Sequence, residues 1–205
     1  MSDDVGFSMS STFGGPIPTP NFDRLANKGT RYNRFHTTGI CSPSRAALLT
    51  GRNHHNAAYG YLGSAQFPGY TGRIPASTAT IAETLRLNGY STAMFGKHHN
   101  AGGAEDAEGA PYSHWPTGLG FEYFYGFVGG YADQFNPTLY RGTNRAPAAE
   151  RKGDVVDKRL ADDAINWVHN QKAVSPDKPF FIYYAPGTAH APLQAPAEWI
   201  DRFKG

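Results

Sequence analysis

The segment Cys41-Ser42-Pro43-Ser44-Arg45, followed by Ala46-Ala47-Leu48-Leu49-Thr50-Gly51-Arg52, brings together the parts that anion chemistry needs. Its residue types put a nucleophile at the end of a loop and the start of a helix. Proline suits the first helical turn, where its missing N–H costs nothing. The free N–H groups and partial positive charge of a helix N-terminus favour an anion. Arg45, one turn on, can offer the same anion a bidentate guanidinium fork. Cys41 is the single cysteine of the chain, which rules out an intrachain disulfide and any multi-cysteine metal site. A lone cysteine is most often a small buried hydrophobe, so its surroundings must argue for more.

Three other clusters could join it. Lys97-His98-His99 follows an apolar run ending at Phe95. In an extended backbone, alternation places Lys97 and His99 on one side and His98 on the other. A cation and an imidazole beyond a strand end suit an anionic oxygen and a leaving group. His190, in Thr188-Ala189-His190-Ala191-Pro192, follows the run from Phe180 to Tyr184. Asp3-Asp4 offers carboxylate oxygens of the kind hard cations prefer, although paired acids at a terminus are usually solvated. His54-His55 lacks further ligand spacing and reads as pocket-lining or surface. His36 and His114 carry no functional reading.

The elements that must position these residues follow from periodicity. The spacing predicts helices over Asn21 to Lys28, Ser44 to Leu49, Thr78 to Asn88 and about Asp154 to Gln171. In the last of these, Val156, Leu160, Ala164, Trp167 and Val168 form an apolar stripe. Strands are expected over Arg31 to Thr37, Tyr90 to Phe95 and Pro179 to Tyr184, the last as a strand buried on both faces. Asn100 to Pro116 reads as an irregular surface loop, and Trp199 and Phe203 as part of a last short helix. Alternating strands and helices imply an α/β fold, with a mainly parallel sheet flanked by helices on both faces. Ligands of such sheets collect beyond the carboxyl ends of the strands, where Lys97, His99 and His190 all fall.

Composition bounds the rest. With 205 residues, 40% hydrophobic and 18% charged, the chain can bury one sizeable core. A formal charge of +2 without a Lys/Arg run argues against nucleic acid. No apolar run approaches the ~18 residues of a membrane span, and no signal-peptide pattern stands at the N-terminus.

The cysteine segment resembles the signature of the sulfatase family, the formylglycine-dependent, bacterial arylsulfatase-like branch of the alkaline phosphatase-like superfamily. In that signature a cysteine followed by x-Pro-x-Arg is oxidised to formylglycine. Gly15 to Leu25, Phe67-Pro68-Gly69-Tyr70 and Trp115 to Phe121 are similar to further family stretches, so the likeness covers nearly the whole chain. It implies a sulfuric ester hydrolase that cleaves small-molecule or saccharide sulfate monoesters. Cys41 would be the nucleophile precursor, Arg45 would steady it, and His99 would assist its chemistry. Lys97 and His190 would bind sulfate. Asp3 and Asp4 would hold a divalent cation, most commonly calcium, with the modified Cys41 counted as a contact of the same ion. A formylglycine-generating enzyme is the implied partner. Family sulfatases are often exported, so the resemblance favours a periplasmic or extracellular site and leaves a cytoplasmic one open.

Two parts of the family pattern are not found: a leading strand before Asp3, and an aspartate-asparagine pair with a further lysine after Gly205. Residues 1–205 therefore read as part of an N-terminal catalytic domain, expected to bind metal weakly or not at all and to be inactive alone. Two rival functions remain open at this point. One is a phosphodiester or phosphonate monoester hydrolase of the same superfamily, and the other a non-catalytic binder of sulfated ligands.

Overall fold

The computed structural model describes residues 1–62, 65, 67–103, 107–147 and 154–204. Three helices come first: α1 (Pro20–Ala26), α2 (Cys41–Thr50) and α3 (Ile81–Leu87). Strands β1 (Ser91–Lys97), β2 (Tyr123–Phe127), β3 (Tyr140–Arg141) and β4 (Asn144–Arg145) follow. Helix α4 (Val156–Val174), strand β5 (Phe180–Ala185) and helix α5 (Ala197–Ile200) complete the order. The strands form one sheet in the order β4-β3-β2-β1-β5. Strand β1 runs parallel to both β2 and β5, with Phe95 opposite Tyr125 on one side and Tyr184 on the other. Strands β2, β3 and β4 pair antiparallel.

Alternation along β1 divides the core into two layers. Met94 faces one side with Phe124 and Tyr183, beneath Leu49 of α2, Ala82 of α3, Trp115 and Phe121. Ala93 and Phe95 face the other with Tyr125 and Phe127, beneath Val156, Leu160 and Trp167 of α4. Helices thus cover both faces, as the periodic pattern required. Trp167 locks α4 in place by meeting Phe95 and Phe180 edge-on, at 6.3 and 5.7 Å between ring centroids, the tilted geometry that aromatic quadrupoles favour.

Local chemistry sets the helix ends. Thr80 caps α3 by accepting from the Glu83 N–H, and Gly51, at φ 65°, terminates α2 in the left-handed region. Helix α2 starts at Cys41 itself, earlier than the Ala/Leu run suggested. Two expected features differ. Arg31 to Thr37 forms no strand: it has no neighbour in the sheet and its Tyr32 and Phe35 are exposed, so alternation alone had no surface to pair with. Strand β5 lies at the edge of the sheet and is mostly half-buried, not buried on both faces. Among its described residues the 100–116 stretch is irregular apart from a 3₁₀ turn at Tyr112–His114 and the start of another, Pro116–Leu119; it is not a surface loop throughout, since Asn100, Ala101 and Trp115 are buried.

At the carboxyl end of β1 the strands approach closely. Gly96, at φ 107°, leaves no room for a Cβ against the Ala185 carbonyl of β5. The chain leaves the sheet there with Lys97 and turns toward α2.

Candidate active site

Cys41 is the first residue of α2 and is partly exposed. Its Sγ lies 3.2 Å from His99 Nδ1. His99 reaches it by adopting φ 56°, just beyond β1, while its backbone N–H donates to the Val128 carbonyl at 2.9 Å. The neighbours of His99 are anchored on both sides. His98 is fully buried, with Nε2 at 2.7 Å from the His114 carbonyl. Asn100 is equally buried, and its side-chain amide donates to the Ser42 carbonyl at 3.1 Å, tying the end of β1 to the first turn of α2. Gly130 completes the fit: a Cβ there would sit 2.8 Å from His99 ring atoms.

Asp3, Arg45 and Lys97 form the charged floor. All three are buried. Lys97 Nζ donates to Asp3 Oδ2 at 2.6 Å, and Arg45 Nη2 to Asp3 Oδ1 at 3.2 Å. Arg45 Nη1 also donates to the Lys97 carbonyl at 2.9 Å. One carboxylate thus serves two cations, which is what keeps both charges tolerable away from water. Burial, with Lys97 and then Arg45 nearby, pushes the His99 imidazole down to about 4. Burial alone accounts for most of the fall of His98 to about 3. Both rings are therefore neutral near pH 7.

His190 lies on the loop after β5. Asp3 brings that loop in, accepting from the Ala189 N–H at 2.8 Å through its backbone carbonyl. His190 Nδ1 bonds the Ala191 carbonyl at 2.8 Å, so that nitrogen carries the proton and donates. Nε2 stands 3.8 Å from Asp4 Oδ2, and the ring lies parallel to Tyr131. A cavity of about 390 Å³ opens among these groups, lined by Cys41, His99 and His190 together with Tyr59, Leu62, Val128 and Tyr131.

The chain thus brings six of the residues singled out above to one end of the sheet: Asp3, Cys41, Arg45, Lys97, His99 and His190. Lys97 and Arg45 are not among the cavity's lining residues, however; both are fully buried, so Lys97 does not face the cavity as a sulfate-binding residue would. Asp4 is 61% exposed, with His190 Nε2 at 3.8 Å from its Oδ2. Among the described residues no group of three or more His, Cys, Asp or Glu side chains stands close enough to hold a metal. A calcium shell takes about six to eight oxygens, and both oxygens of Asp3 already face cations. The residues present do not by themselves fit such an ion. His54 and His55 pack on each other at 4.2 Å, and His54 Nδ1 bonds the Tyr59 carbonyl at 2.7 Å, a structural role. Sequence reasoning passed over Asn100, Gly130 and Tyr131. Only the glycine pair before Tyr131 hinted that a backbone must come close to something.

A mixed α/β sheet whose parallel strands end beside a thiol at a helix N-terminus, with two buried cations paired to Asp3, is an arrangement suited to an anion. A family model for sulfatases matches residues 1–205, and the chain belongs to the sulfatase family. It is 34% identical to an arylsulfatase of Klebsiella aerogenes over the whole chain and 45% of that protein. Among solved structures it is similar to Ps i-CgsB, with a TM-score of 0.82 and 28% identity over 98% of this chain and 47% of that one. It also resembles BT4656, solved in complex with its substrate D-glucosamine-2-N,6-O-disulfate, with a TM-score of 0.71 and 26% identity over 93% of this chain and 34% of that one. The chain spans less than half the length of each of these relatives.

Proposed function

We propose that this chain is the nucleophile-bearing part of a sulfuric ester hydrolase acting on sulfate monoesters, with Cys41 as precursor of the nucleophile. The observation that carries the reading is the 3.2 Å approach of Cys41 Sγ to His99 Nδ1 at the head of α2. Family membership adds the chemical class. The formylglycine that the resemblance implies at position 41 would supply, when hydrated, one hydroxyl to attack sulfur in line and a second whose collapse releases sulfate.

The side chains at hand suit the steps around that group. His99, held down to about 4, is neutral near pH 7 and meets the group at position 41 as an uncharged hydrogen-bonding partner. Arg45 and Lys97 fix positive charge beneath the nucleophile, and α2 points its free N–H groups the same way. His190, on the cavity wall, would contact the sulfuryl oxygens. No step is routed through a cation, because the described residues do not form its site. Calcium, with Asp3 and Asp4 as ligands, rests on the resemblance alone, as do a formylglycine-generating enzyme as partner and a periplasmic or extracellular site. Substrates would be small-molecule or saccharide sulfates, the class to which the sulfated glucosamine bound by BT4656 belongs.

The test is a comparison of rates for the full-length protein carrying this chain, produced with a formylglycine-generating enzyme. Nitrophenyl sulfate should turn over faster than a nitrophenyl phosphodiester, and Cys41→Ser should lower the sulfate rate by at least ~10²-fold. Faster phosphodiester cleavage, or an unaffected Cys41→Ser, would overturn the reading.

A further inference from the structure

We propose that Asn100 is a positioning residue of this site: its buried amide sets the approach of His99 to position 41, and it serves that geometry instead of stability. Its effect on turnover rests on the hydrolase reading above. The contact it controls, Cys41 with His99, belongs to the unmodified chain and can be read without hydrolysis.

Asn100 lies behind the cavity wall. Its neighbours His99 and Ala101 line the cavity and Asn100 does not, so it acts through them. Its Nδ2 donates to the Ser42 carbonyl at 3.1 Å, and Ser42 follows Cys41 as Asn100 follows His99. Each end of that bond is thus one residue away from the 3.2 Å contact between Cys41 and His99. A matching tie stands on the other side of His99, from Arg45 Nη1 to the Lys97 carbonyl at 2.9 Å. Ser42 and Arg45 are one turn apart on α2, so the head of the helix is bound to the chain on both sides of His99.

The backbone needs that bracket. His99 sits at φ 56°, in the left-handed region that residues with a Cβ disfavour. Such a conformation persists only where its surroundings over-determine it. Before the turn, the N–H groups of His98 and His99 donate to the Phe127 and Val128 carbonyls, at 3.0 and 2.9 Å. After the turn, the Asn100 side chain supplies the tie to α2.

Asparagine is a poor choice for packing at this position. Asn100 is fully buried, yet among the described residues its Oδ1 has no hydrogen-bond partner, and neither has the Ser42 hydroxyl. A buried polar atom left unpaired destabilises the fold. The Ser42 carbonyl lies within α2 and would keep its helical bond without the amide, since a carbonyl has two lone pairs. An aliphatic side chain of similar volume would therefore support the fold as well, but would not tie α2 to the residue after His99. A local choice that works against stability beside the nucleophile is the mark of a functional position.

The test uses the full-length protein in two forms. Made without a formylglycine-generating enzyme, it keeps the thiol at position 41, and alkylation of the Cys41 peptide by iodoacetamide, followed by mass spectrometry, reads the contact with His99. Asn100→Leu should shift that rate by about threefold or more, in the same direction as His99→Ala. In a His99→Ala background it should shift the rate by less than about twofold, because nothing is left to position. In the modified protein, Asn100→Leu should lower kcat on nitrophenyl sulfate by about tenfold with KM within about twofold. The urea midpoint should stay at or above the wild-type value for Asn100→Leu or for Asn100→Met, whose flexible stem fits irregular space. An alkylation rate that ignores either single substitution, effects that add in the double variant, or a midpoint lowered by both Leu and Met would overturn the positioning role and leave the hydrolase reading standing. A modified wild-type protein without sulfatase activity would sink the hydrolase reading, while the alkylation rates would still decide the role of Asn100.

Discussion

Replacing Asp3 by Asn tests the charged floor directly. The carboxylate is buried and is the shared partner of Lys97 Nζ at 2.6 Å and Arg45 Nη2 at 3.2 Å. Asparagine keeps the shape and one acceptor oxygen but removes the negative charge, leaving two buried cations uncompensated. Removing one partner of a buried ion pair costs about 3–5 kcal/mol. With two cations at stake and one hydrogen bond retained, about 4 kcal/mol is the expected loss, a large share of the ~5–15 kcal/mol that stabilises an ordinary domain. At a urea dependence of about 2 kcal/mol per molar, the unfolding midpoint should fall by about 2 M. Asp4→Asn, on an exposed side chain beside His190, should move it by less than ~0.3 M and serves as the control. Lys97→Met in the Asp3→Asn background should recover part of the loss, because one orphaned charge is then gone. Equal midpoints for wild type and Asp3→Asn, by circular dichroism across a urea series, would refute the floor as described.

Other consequences follow from the same geometry. His98 has a folded pKa depressed to about 3 against an ordinary 6.5. Between those values the unfolded chain binds a proton that the folded one refuses, so stability is lost as pH falls. Wild type should lose up to about 1.4 kcal/mol per pH unit more steeply than His98→Leu between pH 6 and 4; parallel slopes would contradict the buried neutral ring. Gly130→Ala would place a Cβ 2.8 Å from the His99 ring. It should cost about 1–3 kcal/mol by thermal melt and lower aryl sulfate turnover by about tenfold or more through displacement of His99; unchanged turnover would remove His99 from the chemistry. Calcium titrated into the isolated 205-residue chain should show no heat of binding at micromolar concentration, since both oxygens of Asp3 face cations and Asp4 is an exposed carboxylate; a tight one-site isotherm would contradict that.

The parts of this site that were legible in the sequence are those set by neighbours along the chain. Cysteine, proline and arginine within one turn specify the head of α2, and the apolar stripe of Val156, Leu160 and Trp167 specifies the helix that covers the far face of the sheet. Lys97, His99 and His190 were legible as a group because each follows a strand run, and strand ends of a parallel sheet share an edge. What escaped depends on distance in sequence. Asp3 pairs with residues 42 and 94 positions away, and no local pattern announces that it will neutralise cations. Alternation put His98 opposite His99, yet the turn at φ 56° that brings His99 to Cys41 lies beyond the strand, where alternation no longer applies. Arg31 to Thr37 alternates like a strand and finds no partner, a reminder that pattern supplies a face and tertiary structure decides whether anything covers it. Strand β5 looked doubly buried from its apolar run because composition does not distinguish the centre of a sheet from its edge.

The most direct measurement is the mass of the peptide bearing Cys41, taken from full-length protein produced together with a formylglycine-generating enzyme. Conversion of the thiol to an aldehyde should make that peptide lighter by about 18 Da, in a fraction that rises in step with hydrolysis of aryl sulfate. A peptide that keeps its thiol while the preparation still cleaves sulfate esters would remove Cys41 from the chemistry, and with it the role assigned to His99.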